Sequence, residues 1–135
     1  MKNKKLAFIA IIAVLAIAVI YFLLIKKDDK TMRKIDPGFT SYISGFTSGI
    51  ISNQSTIRII LADGLPEIES NSEVQKGLLS FSPGIKGKAI WVNNRTIEFQ
   101  PDNRLKSGTK YDVSFKLGKV KEVPTKFSEF KFDFQ

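Results

Sequence analysis

Residues 91–115, WVNNRTIEFQPDNRLKSGTKYDVSF, decide how the rest of the chain is read. The two segments around Asn93-Asn94 alternate apolar and polar residues, a Pro101-Asp102 break follows, and L-x-x-G-T-x-Y leads into a further alternating segment. Alternation with period two, bounded by Asn, Pro and Gly, specifies half-buried strands joined by turns. Gly108 supplies the second turn, Leu105 is placed to plug the core edge, and Tyr111 opens the next strand with its hydroxyl free to meet a loop carbonyl. The stretch contains no His, no Cys and no glycine-rich phosphate loop.

The pattern extends in both directions. Ser55 to Ala62 reads as a strand with Ile57, Ile59 and Leu61 on one face, and residues 78–83 as a short strand closed by Pro83. Residues 88–92, 95–99, 109–118 and 127–135 complete the set, with Asp63 to Gly77 as a polar loop. In the last two segments Tyr111, Val113, Phe115 and Leu117 share a side, and Phe130, Phe132 and Phe134 alternate with Lys131 and Asp133. Residues 35–51 are rich in Gly, Ser and Thr, and are expected to be irregular or briefly helical while laying Phe39, Tyr42 and Phe46 on the domain. Short strands without long intervening helices predict an all-β, immunoglobulin-like antiparallel sandwich. The chain's eleven Phe are enough for its core.

The turn at Asn93-Asn94 sets the direction of the only tryptophan. A two-residue loop with both Asn at positive φ pairs Ile90 with Ile97 and turns Trp91 outward. A three-residue loop would set Trp91 beside Ile97 but would demand an awkward Arg95. The two-residue loop is the favoured reading, and it makes Trp91 a candidate docking residue in want of a cover.

Leu6 to Ile25 is an unbroken apolar run of 20 residues. As a helix it spans about 30 Å, the thickness of a bilayer's hydrocarbon core. The alternative is a cleaved signal, whose apolar region is normally about 7–15 residues followed by small residues. Here the run ends on the bulky YFLLI, which favours an uncleaved anchor. The expected organisation is residues 1–5 in the cytoplasm, 6–25 as a transmembrane helix, 26–34 as a juxtamembrane linker and 35–135 as the sandwich. A short Lys-rich N-terminus favours the domain lying outside a bacterial inner membrane, in the periplasm.

Composition narrows the chemistry. The net charge is +8, but residues 1–34 carry eight cations against two anions, leaving a net of only +2 on the remaining 101 residues. That distribution argues against nucleic acid as a partner. There is no Cys and no His, so thiolate chemistry, disulfides and the commonest general base are excluded. Asp102 and Asp112 are read as a turn residue and an outward strand position rather than a carboxylate pair. No catalytic, cofactor-binding or metal-ligating residue is expected, and the chain reads as a non-enzyme. A hydrolase using Ser or carboxylates is the remote alternative.

TIEFQPDNRLKSGTKYDVSF resembles bacterial immunoglobulin-like domains, in which T-x-x-F-x-P and L-x-x-G-T-x-Y recur. With IDPGFTSYISGFTSGIISNQSTIRI, FSPGIKGKAIWVNNRTIEF and EVPTKFSEFKFDFQ, residues 35–135 resemble the N-terminal domain of alpha-2-macroglobulin-like proteins of Bacteroidota. The resemblance implies a protease-trapping envelope protein, here without bait region or thioester, whose partners are the bilayer through Leu6–Ile25 and neighbouring macroglobulin-like domains or other envelope proteins. The family's leader commonly ends in a lipidated Cys, which this sequence lacks. A stop within the expected last strand suggests a truncated reading frame or a free-standing remnant. The second reading is a stand-alone anchored adhesion or interaction module.

Overall fold

The computed structural model describes residues 2–25 and 32–135, so most of the expected linker, residues 26–31, lies outside the described residues. The chain divides into two units, 1–31 and 32–135, and each is described by itself.

The first unit is helix α1 (Lys2–Ile25). It holds neither Pro nor Gly, and its apolar residues run all round rather than along a stripe. The 20 residues Asn3–Phe22 are long and apolar enough to cross a membrane and bury nothing against protein. A helix apolar on every face has no favourable solvent other than lipid or a protein interior. A secretory signal meets the same requirement of length and composition.

The second unit is a two-sheet β-sandwich. Its strands are β1 (Ile43–Phe46), β2 (Ile57–Leu61), β3 (Ser72–Glu73), β4 (Leu79–Ser82), β5 (Gly87–Asn93), β6 (Thr96–Pro101), β7 (Tyr111–Phe115) and β8 (Phe130–Phe134). One sheet has the order β1-β2-β6-β5-β3 and the other β4-β7-β8, and every strand pair within them is antiparallel. With β3 set aside, this is the strand order of an immunoglobulin constant-type sandwich, A-B-E-D facing C-F-G. The expected fold class is therefore present.

The period-two alternation places the core. Ile57, Ile59 and Leu61 from β2, Ile97 and Phe99 from β6, and Trp91 from β5 meet Val113 and Phe115 from β7 and Phe130, Phe132 and Phe134 from β8. The aromatics of the 35–51 segment close one side, as their spacing suggested. Phe39 packs edge-on against Phe127 and Phe130 at 4.9 and 5.0 Å, and Phe46 against Phe130 at 5.1 Å. Such pairs add about 0.5–1.5 kcal/mol each beyond the area they bury.

Several local expectations change. The 35–51 segment contains a 3-10 turn over Pro37–Ser41, but also strand β1, whose pairing with β2 bulges between Ile43 and Gly45. Beyond β1 the chain crosses to the other sheet. Gly49 bridges Phe134 in parallel, and the Gln135 N–H donates to the Gly49 carbonyl at 2.9 Å. The expected 63–77 loop contributes β3, which pairs with Ile90 and Trp91. The expected 109–118 strand is regular only to Phe115; Leu117 begins a 3-10 turn yet stays fully buried.

Candidate binding groove

Trp91 does not face outward. It is 3% exposed and lies opposite Ile97 on the core side of the sheet. The outward orientation assumed a turn at Asn93-Asn94 with both residues at positive φ, whereas Asn71 is the only non-glycine residue with positive φ among the described residues. Instead Asn93 pairs with Thr96, the turn residues are Asn94 and Arg95, and the ladder slips between Trp91 and Asn93. The bulge inserts one residue, Val92, and one residue inverts the facing of every side chain before it. The Asn93 Oδ1 accepts from the Arg95 N–H at 3.0 Å, a local bond that holds this turn without a left-handed residue.

Although buried, Trp91 still reaches a surface. It lines a groove of about 320 Å³ whose apolar walls come from Leu65, Ile68, Leu78 and Val120. Glu67, Glu73 and Lys119 stand among its polar lining groups. The groove joins three chain regions. The 62–78 connection is tied to β5 by the Asn71 N–H on the Trp91 carbonyl at 2.6 Å and the Val74 N–H on the Ala89 carbonyl at 3.0 Å. Val120 is held by its own N–H on the Leu117 carbonyl at 3.0 Å, at the end of a 3-10 turn.

The other singled-out residues have structural places. Asp112 sits on β7 opposite Ser82 and Asp133 and meets Arg33 at 3.2 Å. Asp102 follows β6, its N–H donating to the Lys86 carbonyl at 2.9 Å. The two line different surface depressions, so the structure does not assemble them into a site. Leu105 is buried as expected, and Gly108 turns at φ 69°. The Tyr111 hydroxyl accepts from the Lys106 N–H at 3.1 Å, where a bond to a carbonyl was expected. Among the described residues there is no group of three or more His, Cys, Asp or Glu placed to share a metal ion.

The outer faces of both sheets are tied by ion pairs. Glu98 is nearly buried, takes the Arg58 Nε at 2.6 Å and the Gln100 amide at 2.9 Å, and is held below the usual carboxylate range by Gln100 first and then by Arg58 and Thr56. Glu129 is lowered to about 2 by hydrogen bonds from Lys116 and Ser114, with Lys131 adding a third. Asp63 is lowered by its bond to Lys121 at 2.8 Å. Asp133, on the outer side of β8, is nonetheless 4% exposed because Lys110 lies 3.2 Å away and the Arg33 N–H donates to it at 2.8 Å.

No protein-family model matches the chain, and no curated protein matches it. Among solved structures, the crystal structure of L,D-transpeptidase 3 from Mycobacterium tuberculosis in complex with a faropenem-derived adduct is similar, with a TM-score of 0.47 and 9% identity. The likeness covers 72% of this chain and 38% of that one, so the chain spans well under half of that protein's length.

Proposed function

We propose that this chain is a membrane-anchored, non-enzymatic immunoglobulin-like domain that positions an alpha-2-macroglobulin-like protease-trapping protein on the outer side of a bacterial cytoplasmic membrane. The observation that carries the anchoring is the pairing, in one short chain, of a 20-residue apolar helix with a β-sandwich in immunoglobulin strand order. The resemblance of residues 35–135 to the N-terminal domain of those proteins supplies the partner class. Thr96, Phe99 and Pro101, and Leu105, Gly108 and Tyr111, carry that resemblance, and all are strand or turn positions here except Leu105, a buried residue of the connecting loop. The role assigned to the chain is mechanical: the helix holds, and the sandwich presents surfaces to neighbouring domains or envelope proteins.

The test is cross-linking of the full-length chain in intact cells, followed by purification and mass spectrometry. Macroglobulin-like chains cross-linked to residues of the sandwich support the reading. Cross-links confined to glycans or unrelated surface proteins contradict it and favour a stand-alone adhesion or interaction module.

A further inference from the structure

We infer that the groove floored by Trp91 binds an extended peptide carrying Lys or Arg beside an apolar residue, independently of the partner class proposed above. Four observations converge on that chemistry. The walls formed by Leu65, Ile68, Leu78 and Val120 offer an apolar slot of about 320 Å³, within the range of small-ligand sites.

The Trp91 indole N–H has no acceptor among the described residues, yet the described domain contains no sealed, unsatisfied side-chain polar atom. Trp91 as a residue is 3% exposed and lines this groove, which makes its N–H the donor that an occupant of the groove would meet. An indole N–H normally finds a partner when its ring is buried.

The lip is acidic. Glu67 and Glu73 line the groove, are exposed, belong to a stretch from Asp63 to Glu73 that has four carboxylates and no cation, and have no ion-pair partner among the described residues. Asp63 is already engaged by Lys121. Lys119 is the one cation lining the groove, and it offers a second donor for a carbonyl.

A peptide supplies each complement at once. Its main-chain carbonyls accept from the indole N–H and Lys119, an apolar side chain fills the slot, and a Lys or Arg meets Glu67 and Glu73. An acidic peptide would satisfy the donors but place like charges against the lip.

Trp91 is the only tryptophan, so its emission reports on the groove floor. The full-length chain in nanodiscs of neutral phosphatidylcholine is titrated with N-acetyl-Lys-Leu-Lys-Leu amide and, separately, with N-acetyl-Glu-Leu-Glu-Leu amide. The basic peptide is expected to shift the emission saturably, with an affinity that falls as salt is raised, and the acidic peptide is not. The Glu67→Gln/Glu73→Gln variant, altered only at exposed positions, should retain its circular dichroism melt and weaken the basic peptide up to about tenfold, the loss expected from two exposed ion pairs. No saturable change with the basic peptide, an equal response to the acidic one, or unaltered affinity in the double variant would each overturn the proposal.

Discussion

At the scale of the residue, Trp91 shows how one inserted position changes a functional reading. Alternation along 88–99 and the Asn-Asn pair specified a hairpin, and the hairpin is there. What they did not specify was the bulge at Val92, because Asn at positions 93 and 94 suits either a left-handed turn or a side-chain-capped one. The consequence for mutation is reversed. Trp91→Ala should destabilise the domain by about 3–5 kcal/mol, the usual cost of emptying a buried aromatic site, read from the denaturant midpoint. An unchanged midpoint would restore the outward ring. Gly87 offers a second check. A Cβ there would meet the Gln100 carbonyl and the Phe99 ring, at 2.6 Å from its Cζ, so the paired strand must move. Gly87→Ala should cost on the order of 1–3 kcal/mol, whereas Gly64→Ala, whose three nearest atoms all belong to the Asn94 side chain, should cost far less; equal losses would contradict this packing.

At the scale of the element, strands with an uninterrupted apolar face were legible, and those lacking one were not. β2, β7 and β8 follow from Ile57/Ile59/Leu61, Tyr111/Val113/Phe115 and Phe130/Phe132/Phe134. β1 was hidden by Gly45, and β3 by its length of two residues, too short for any period. The alternation in β8 correctly placed Asp133 on the outer side, but could not show that Arg33, a hundred residues away in sequence, and Lys110 would cover it. Asp133→Ala should therefore cost about 1–3 kcal/mol by stranding these donors, measured by urea unfolding; a neutral result would mean that water replaces the carboxylate without loss.

The β7–β8 face also sets an acid dependence. Glu129 falls from an ordinary value of 4.5 to about 2 on folding. The folded state then binds fewer protons than the unfolded one between those values. Its stabilisation is complete above pH 4.5 and fades as pH falls towards 2. The gap in melting temperature between wild type and Glu129→Gln should narrow across that window, while a gap independent of pH would remove Glu129 from the account.

At the scale of the whole molecule, the sequence conveyed more than its local errors suggest. The 20-residue apolar run and the rhythm of short strands led to helix plus sandwich, and a strand order of immunoglobulin type followed. The groove was not legible, because its parts come from residues 65–78, 91 and 119–120 and meet only after β3 has paired with β5. The acidic run from Asp63 to Glu73 was the available signal, but without Trp91 beneath it a charged loop implies only solubility.

The central claim is that the helix remains as the anchor of a domain held outside the membrane. Cells expressing the full-length chain with a C-terminal epitope should be fractionated, washed with alkaline carbonate, and treated with protease as spheroplasts. The account predicts an uncleaved chain of 15.2 kDa plus the epitope, pelleting with membranes after the wash, its domain digested by protease added outside. A shorter, carbonate-soluble chain, or a domain protected until the cells are lysed, would contradict it.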